Sequence, residues 1–555
     1  MTSRSGAGGY GGSLGRRSRR WNPVAPPRLR VTTALESSEL DARSIAAGIP
    51  SRALMQRAGA AAAAEILGFL RQAASCSVVI YAGSGNNGGD GWVVARSLAA
   101  AGVDVDVVAV GETRTGEARS ERALAEAEPL VRVLSFDEHA ADATHGTPSV
   151  VVDALLGTGA RGAPRASVAR AIALVARARE RGAMVVSLDI PSGVDADSGV
   201  ADHAVRADVT LTFGTIKRGL LVARGSVGRI ILLDIGLVHG REGDATNDVT
   251  LVDARWVRSL VPPFAADAHK GTRKKLVIVG GQLGMAGAPV LAARAAMRSG
   301  IGMVRLVVAP ESLAVVQGTE PHALARAWPV QGAADWDDAI GSWADAVLIG
   351  PGLGASSRSL EMVEQALRSW IGPVVLDADA LNVFAGEPEL LGKLLDGRPA
   401  LLTPHVAEFA RLSGYDMTDV LERRFDVGVE LSRRVGAAVL LKGLPTVVAA
   451  ADGARLVSAA GTPALAAAGS GDLLGGIAAT LLAQLGDAQC AGAAAAWVHG
   501  RAAEIAVTER CGGVSASARG VTLSDIEAAI GRVWSEDLQR PTYPVLAELP
   551  AVGDA

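Results

Sequence analysis

The chain has 555 residues, 49% of them apolar, and its 54 Lys and Arg side chains nearly balance 58 Asp and Glu side chains. This apolar share is ample for a folded core, and a net charge of −4 excludes the basic surface typical of nucleic-acid-binding proteins. Cys76, Cys490 and Cys511 are far apart and lack metal-site spacing, so we expect no disulfides and a reducing cytoplasm. The apolar run 276–293 holds four glycines and a proline, so we expect no transmembrane segment.

The composition changes along the chain and predicts its domain organisation. Residues 1–30 hold seven arginines and no acidic residue, which predicts a disordered basic tail. After this tail, strands of Val, Ile and Leu alternate with alanine-rich helices, a pattern typical of α/β domains with mainly parallel sheets. We expect one domain over residues 31–240, a connection near residues 236–249, a second domain over residues 241–540 and a tail over residues 541–555.

A glycine-rich loop follows the first strong strand signal. The apolar strand 77–82 leads into Gly83-Ser84-Gly85-Asn86-Asn87-Gly88-Gly89-Asp90-Gly91, and a helix is predicted from residue 92 to residue 101. The glycines satisfy G-x-G-x-x-G, which by itself would indicate a dinucleotide-dependent oxidoreductase. Two amides and a carboxylate argue against that interpretation, because such groups suit a substrate or a metal ion better than a plain glycine loop.

Two further segments follow in order, Val150-Val151-Val152-Asp153-Ala154-Leu155-Leu156-Gly157-Thr158-Gly159 and Ser187-Leu188-Asp189-Ile190-Pro191-Ser192-Gly193-Val194-Asp195. With the Asn-Asn-Gly-Gly-Asp-Gly stretch, they resemble the NAD(P)H-hydrate epimerases over about residues 30–240. The resemblance implies a Rossmann-like three-layer sandwich that interconverts the R and S hydrates of NADH and NADPH. It implies substrate contacts at Asn86, Asn87, Gly88, Gly89, Asp90, Gly157, Thr158, Gly159, Ala160, Arg161, Gly162, Ala163 and Asp189, and K⁺ ligands at Asn87, Asp153 and Ser192.

Asp189 is the candidate acid/base group of this half. It ends the buried-type strand 184–188, where partial desolvation could raise its pKa toward neutrality. The alternative is a carboxylate that merely starts the turn Ile-Pro-Ser-Gly. Lys217 lies in a family-like stretch, and the sequence suggests for it only a phosphate contact.

Polar residues also follow buried-type strands in the second half. Asp377 and Asp379 follow the strand 374–376, and His405 follows Leu401-Leu402-Thr403-Pro404. Ligands of open α/β sheets bind at the carboxyl ends of the strands, and paired carboxylates there suit hydrated Mg²⁺. Taken singly, the two aspartates could be helix caps and His405 a satisfied loop histidine.

Lys442 stands in a Lys-Gly turn between the apolar strands 439–441 and 446–449. Only six residues of the chain are lysines, so arginine serves wherever a generic cation suffices. A lysine here therefore suggests a compact ammonium that contacts a nucleotide phosphate, the alternative being a solvated surface lysine.

The most informative motif is Gly469-Ser470-Gly471-Asp472, which leads into the apolar helix 477–485. Free N–H groups at a helix start hold an anion, and Asp472 could accept a proton from an attacking hydroxyl. The motif therefore predicts phosphoryl transfer to an alcohol. The alternative is a simple helix N-cap.

Six motifs in this half occur in the order of the NAD(P)H-hydrate dehydratases, which are ribokinase-like: His269-Lys270-Gly271, Gly350-Pro351-Gly352-Leu353-Gly354, Leu376-Asp377-Ala378-Asp379, Leu402-Thr403-Pro404-His405, Leu441-Lys442-Gly443 and Gly469-Ser470-Gly471-Asp472. The resemblance covers about residues 245–535. It implies a ribokinase-like three-layer α/β domain that dehydrates the S hydrate at the expense of a nucleotide, ADP in most bacterial members and ATP elsewhere, with Mg²⁺. It implies hydrate contacts at Ala288, Gly354, His405 and Asp472, and nucleotide contacts at Lys442, Gly443, Leu444, Pro445, Thr446 and Gly471. The segment 461–466 departs from the family, which commonly has an asparagine there.

The sequence thus favours a fused hydrate epimerase and dehydratase, with Asp189 and Asp472 as the catalytic groups. Its partners are the small molecules NADHX and NADPHX, with no nucleic acid or membrane, and we expect a homo-oligomer. A ribokinase-like small-molecule kinase is the alternative, because Gly-Ser-Gly-Asp alone would serve any alcohol. A non-enzymatic nucleotide-sensing module is a third interpretation, which the presence of Asn86, Asn87, Asp90, Asp153 and Asp189 disfavours.

Overall fold

The computed structural model describes residues 28–72, 76–141, 147–238, 248–328, 333–510, 517–536 and 541–552. Most of the predicted basic tail, most of the predicted connection near residues 236–249, and Cys511 lie outside these ranges. Within them, every helix is too short or too polar to cross a bilayer.

The N-terminal half alternates strands and helices, as its sequence pattern predicts. Its elements are β1 (Leu29–Thr32), α1 (Ala34–Ala46), α2 (Ser51–Leu70), β2 (Val78–Ala82), α3 (Asn86–Ala100), β3 (Val105–Ala109), α4 (Gly116–Glu126), β4 (Val131–Ser135), α5 (Phe136–Ala141), β5 (Val150–Ala154), α6 (Ala166–Glu180), β6 (Met184–Leu188), β7 (Val209–Phe213), β8 (Ile216–Lys217), α7 (Arg218–Val222), α8 (Arg224–Val227) and β9 (Arg229–Leu233).

The C-terminal half continues the alternation and ends on a helical layer and one last strand. Its elements are β10 (Val249–Leu251), α9 (Ala254–Leu260), β11 (Lys275–Val279), α10 (Gly287–Arg298), β12 (Met303–Val308), α11 (Leu313–Thr319), β13 (Leu324–Ala327), α12 (Ala333–Ala339), β14 (Ala346–Ile349), α13 (Ser357–Ser369), β15 (Val374–Leu376), α14 (Asp379–Asn382), α15 (Pro388–Leu395), β16 (Ala400–Leu402), α16 (Val406–Ser413), α17 (Met417–Glu422), α18 (Val427–Val435), β17 (Ala438–Leu441), β18 (Thr446–Ala449), β19 (Arg455–Ser458), α19 (Ser470–Leu485), α20 (Ala488–Arg510), α21 (Leu523–Val533) and β20 (Val545–Leu549).

The first sheet has eight strands in the order β20-β9-β7-β6-β5-β2-β3-β4. All neighbours are parallel except β20 and β9, which pair antiparallel. The strands β2, β5 and β6 are adjacent, so the segments that follow them leave the same edge of the sheet. This edge collects the polar motifs of the N-terminal half.

The second sheet has twelve strands in the order β13-β12-β11-β14-β15-β16-β17-β18-β19-β10-β1-β8. The run from β13 to β17 is parallel, and β18 then turns back on β17. The adjacent strands β14 to β17 end at Ile349, Leu376, Leu402 and Leu441, directly before the polar motifs of the C-terminal half. Helices α10, α19 and α20 pack on one face of this sheet, where most of their residues are buried. The prediction of two α/β domains with helix-covered parallel sheets is therefore confirmed.

Three strands cross between the halves. From the N-terminal half, β1 and β8 complete the edge of the twelve-stranded sheet, where β1 pairs with β10. In return, β20 joins the eight-stranded sheet beside β9. Strand β1 thus begins inside the segment 1–30, and β20 lies inside the segment 541–555. Both segments are predicted to be tails, because neither composition nor periodicity shows that they pair with strands of the other half.

Candidate active sites

The asparagine-rich stretch of the N-terminal half is helical. The predicted helix begins at residue 92, whereas α3 begins at Asn86 after the N-cap Gly85. A Cβ atom on Gly88 would lie 2.0 Å from the carbonyl oxygen of Gly83, so only glycine allows the helix to start this close to β2. Residues 86–90 therefore form the first turns of α3 at the carboxyl edge of the sheet.

Asp189 follows β6 with a left-handed φ of 65°. Its carboxylate accepts a hydrogen bond from the ammonium of Lys217, a side chain that is 1% exposed. Lys217 also donates to Thr212 Oγ1 at 3.1 Å and to the carbonyl oxygen of Phe213 at 3.2 Å. All these acceptors belong to the protein, so Lys217 holds Asp189 in place. The sequence suggests a phosphate contact for Lys217 and gives no signal for its ion pair with Asp189.

Two further carboxyl groups share the electrostatic environment of this ion pair. Burial, together with the charges of Asp189 and Asp41, raises the pKa of Asp90 well above its usual range. Burial also raises the pKa of Asp41, on α1, against the opposing effect of Lys217. The site thus combines an ion-paired carboxylate with a carboxyl group whose raised pKa favours its protonated form. Asp41 carries no sequence signal, because an aspartate on a mixed helix is unremarkable.

A second buried cluster surrounds Asp153. Its carboxylate accepts hydrogen bonds from Ser192 Oγ at 2.6 Å, from the Ser192 amide at 2.8 Å and from Ser187 Oγ at 2.9 Å. Asn87 Nδ2 donates to the carbonyl oxygen of Leu156 at 2.7 Å, while its buried Oδ1 has no hydrogen-bond partner. Because Leu156 in turn donates to Ser192 Oγ, the structure brings the three predicted K⁺ ligands into one network of oxygen atoms.

The predicted substrate loop 157–163 follows β5 and is partly or fully exposed. A Cβ atom on Gly157 would lie 3.3 Å from Cβ of Asn87, so the loop begins against the start of α3. Farther along, Arg161 donates to Asp197 at 2.9 Å and lies 3.5 Å from Asp195. The loop therefore contacts the start of α3 at one end and the segment that follows β6 farther along.

In the C-terminal half, the Gly-Ser-Gly-Asp motif is the first turn of α19. The helix begins at Ser470, earlier than the predicted 477, with Gly469 as its N-cap at a φ of 90°. Burial and the nearby charge of Asp377 raise the pKa of Asp472 to about 7, although Lys442 opposes this shift. A helix N-terminus and a carboxyl group that titrates near neutrality thus stand side by side, as a base for phosphoryl transfer requires.

Lys442 is largely enclosed rather than solvated, with 19% of its side chain exposed. Its Nζ lies 2.8 Å from Asp377 Oδ1 and 3.6 Å from Glu408 Oε2. Burial lowers the pKa of Lys442, but these two carboxylates outweigh that effect and the net pKa is raised. A Cβ atom on Gly471 would lie 3.5 Å from this Nζ, so the ammonium faces the first turn of α19.

The predicted hydrate-binding residues occupy neighbouring loops. Asp379 Oδ2 accepts a hydrogen bond from the Gly354 amide at 2.8 Å. Ala288 lies at the start of α10, and its Cβ atom would lie 3.3 Å from a Cβ atom placed on Gly352. His405 caps α16, with Nδ1 accepting from the amides of Ala407 and Glu408, so the helix-cap role applies to this residue. Burial lowers the pKa of His405, and Glu408 opposes that shift.

The predicted nucleotide loop 442–446 connects β17 and β18. Thr446 Oγ1 donates to the carbonyl oxygen of Gly443 at 2.7 Å. Arg424, which sequence reasoning missed, donates to the carbonyl oxygen of Leu444 at 2.9 Å. Burial lowers the pKa of Arg424. Arg424 lies in the turn between α17 and α18, and an arginine in such a turn gives no signal of a contact 20 residues away.

Comparison with known proteins covers both halves. Residues 51–219 match the family model described as YjeF-related protein N-terminus, and residues 276–522 match the one described as NAD(P)H-hydrate dehydratase. The bifunctional NAD(P)H-hydrate repair enzyme Nnr of Moorella thermoacetica is 34% identical over 498 residues, covering 86% of this chain and 93% of that protein. The Escherichia coli (strain K12) protein of the same name is 34% identical over 474 residues, covering 83% and 85%. The ADP/ATP-dependent NAD(P)H-hydrate dehydratase from Bacillus subtilis, co-crystallized with ATP/Mg²⁺, gives a TM-score of 0.45 at 29% identity, covering 51% of this chain and 96% of that one.

Proposed function

Because the chain belongs to the family of bifunctional NAD(P)H-hydrate repair enzymes, we propose that each of its two sites performs one step of that repair. The N-terminal half epimerises the R and S hydrates of NADH and NADPH, and the C-terminal half dehydrates the S hydrate with a nucleotide. The observation that carries this assignment is the match to the relatives over both halves at once, since the two steps share one metabolite.

In the dehydration step, Asp472 accepts the proton of the hydrate hydroxyl while that oxygen attacks the terminal phosphoryl group of the nucleotide. The bond from this phosphoryl group to its bridging oxygen breaks, and the nucleotide leaves one phosphate shorter, as AMP when ADP is the co-substrate. The amides of residues 469–471 stabilise the charge on the phosphoryl oxygens. Phosphate then leaves as the ring nitrogen donates its electron pair, and loss of a proton from the neighbouring carbon restores the ring double bond. The pKa of about 7 supports Asp472 as the base, because it is ionised in part at neutral pH and still basic.

Nucleotide binding in this proposal uses the loop 442–446 and Gly471, with ADP as the favoured co-substrate. Asp377 and Asp379 would hold Mg²⁺ together with water molecules and the phosphates, since Mg²⁺ commonly uses one or two carboxylates. The fit rests on Asp377, which bonds Lys442 through Oδ1, while its Oδ2 lies 3.9 Å from a Cβ position on Gly471. The bound ion would neutralise phosphate charge. Ala288, Gly354 and His405 border the hydrate.

In the epimerisation step, the hydroxylated ring carbon loses water and regains it from the opposite face. Asp90, whose raised pKa favours the protonated form, donates a proton to the leaving hydroxyl as the ring nitrogen forms a double bond to carbon. The carboxylate of Asp189, held by Lys217, stabilises the cationic ring and accepts a proton from the returning water. The protons balance over the cycle once Asp189 returns its proton to Asp90.

Asn87, Asp153 and Ser192 would hold K⁺ in the epimerase half. The unpartnered buried Oδ1 of Asn87 and the carboxylate of Asp153, which Asn87 reaches through Leu156 and Ser192, are a donor set suited to a large monovalent cation. Bound K⁺ would orient the start of α3. We also propose that the enzyme is a cytoplasmic homo-oligomer acting on small molecules.

The test of this function uses the purified full-length protein and a mixture of R and S NADPH hydrates. Dihydronicotinamide absorbance is followed with ADP, with ATP and with neither. We expect nucleotide-dependent recovery of nearly all the absorbance. Recovery of the S share alone would contradict the epimerase assignment. No recovery with either nucleotide would contradict the repair assignment and favour a small-molecule kinase.

A further inference from the structure

A buried histidine lies behind the phosphate-binding turn of the C-terminal half. His499, on α20, has its Nε2 atom 3.2 Å from Oγ of Ser470, the residue between the two glycines of the Gly-Ser-Gly-Asp motif. The two side chains are 7% and 5% exposed. Their hydrogen bond is therefore shielded from water, and the hydroxyl of Ser470 is turned toward α20.

The imidazole of His499 is neutral near pH 7. Burial and the charge of Lys442 lower its pKa to about 4. A neutral imidazole keeps one N–H donor and one nitrogen acceptor, so the bond to Ser470 forms in either tautomer. The ring also adds no positive charge that could hold the product phosphate.

The same helix supports the loop that precedes the turn. A Cβ atom on Gly500 would lie 2.3 Å from the carbonyl oxygen of Ala460, so α20 and this loop touch through their backbones. Glu504 Oε1 accepts a hydrogen bond from the Gly461 amide at 2.9 Å. Helix α20 therefore fixes both the turn 469–472 and the loop 460–461.

We propose that His499 is a positioning residue of the dehydration reaction, which orients the amides of residues 469–471 through its hydrogen bond to Ser470. This inference rests on the proposed function. An anion site accelerates phosphoryl transfer only when its donors are fixed where charge develops, and a displacement of about 1 Å can cost on the order of 100-fold in rate. In this proposal His499 acts through Ser470 and not on a substrate.

The test compares four variants of the full-length enzyme: His499→Leu, His499→Gln, Ser470→Ala and the double variant Ser470→Ala/His499→Leu. We measure kcat and KM for ADP-dependent dehydration of the S hydrate. His499→Leu and Ser470→Ala should each lower kcat by about 10- to 100-fold with little change in KM for ADP. His499→Gln, which keeps a polar atom near Nε2, should retain most of the rate. The double variant should be no slower than His499→Leu, because both changes remove one interaction.

Epimerase activity and the melting temperature of each variant report on folding within the same chain. His322→Leu is the matched control, since the side chain of His322 is 79% exposed. A wild-type kcat in His499→Leu, or additive losses in the double variant, would overturn the inference. If His499→Leu unfolds, Ser470→Ala decides the question, and an unchanged kcat there would overturn it too. A failure of the proposed function can be told apart from a failure of this inference, because the unmodified enzyme would then show no dehydration.

Discussion

The buried ammonium of Lys217 donates a hydrogen bond to the partly exposed carboxylate of Asp189. Lys217 ends β8, a strand that belongs to the twelve-stranded sheet, whereas Asp189 follows a strand of the eight-stranded sheet. The next residue, Arg218, lies 3.0 Å from Asp426 of the C-terminal half. The candidate catalytic carboxylate of one domain is thus held by a residue anchored in the sheet of the other.

Replacing Lys217 tests this dependence. Lys217→Met leaves Asp189 without its ammonium beside Asp90 and Asp41, so we expect epimerisation to fall by about 100-fold or more. Dehydration should persist in the folded variant, which stopped assays with each hydrate would show. Lys393→Met, at an exposed lysine, is the matched control. Full epimerase activity in folded Lys217→Met would contradict the role of the ion pair.

The two activities should separate by single substitutions. Asp472→Asn removes the proposed base and should abolish nucleotide-dependent dehydration while epimerisation continues. Asp189→Asn should do the reverse, because the amide cannot accept the proton. Each variant is assayed with R and S hydrates separately. Loss of both activities in either folded variant would show that the two sites are not independent.

Much of the fold could be predicted from the sequence, because buried strands of Val, Ile and Leu have a plain signature. The predicted strand 184–188 is confirmed as β6, and the two strands around Lys442 are confirmed as β17 and β18. The predicted start of α3 at residue 92 is wrong. The polar and glycine residues before it resemble a loop, but close packing against Gly83 allows the helix to begin at Asn86. The pairing of β1 and β20 with strands of the other half was not predicted, because their partners are distant in sequence.

The candidate sites, like the fold, could be predicted from the sequence only in part. Family membership, predicted from the ordered motifs, is confirmed by the relatives. The roles of the individual site residues stay predictions. Sequence reasoning overlooked Asp41, Arg424 and His499, because each owes its interest to a contact between segments far apart in the chain.

The rate of dehydration should depend on the ionisation of Asp472. Its pKa of about 7 means that the carboxylate form, which alone can accept a proton, predominates above pH 7. We therefore expect kcat/KM to fall about tenfold per pH unit below pH 7 and to level off above it. The measurement is a pH profile from 5 to 9 with saturating ADP. A flat profile over this range would exclude Asp472 as the base.

The same carboxyl group should affect stability in a pH-dependent way. Because its pKa is raised in the folded state, the stability that it contributes is present below about pH 4 and is lost as the pH rises through 7. Asp472→Asn removes a charge that is costly only at high pH. We expect this variant to melt higher than the wild type at pH 8, with a smaller difference at pH 5. Equal differences in melting temperature between variant and wild type at both pH values would contradict the raised pKa of Asp472.

Removal of the last strand should damage the N-terminal domain more than the C-terminal one. Strand β20 pairs with β9, and Ala547 packs into the apolar cluster that contains Ile230 and Leu232. A chain that ends at residue 540 exposes this apolar edge, which favours aggregation and local unfolding. We expect a lower melting temperature and loss of epimerisation.

The matched control for this truncation is Glu548→Gln, which keeps the strand and changes one half-exposed side chain. Dehydration should survive the truncation better than epimerisation, because the run β13 to β17 that carries its site does not contact β20 in the sheet. Some dehydration loss is still expected, since Arg255 of the C-terminal half donates to the carbonyl oxygen of Leu546 at 2.6 Å. Unchanged epimerisation in the truncated chain would show that β20 is dispensable to the eight-stranded sheet, and the exchange of strands would then matter in one direction only, from β1 and β8 into the twelve-stranded sheet.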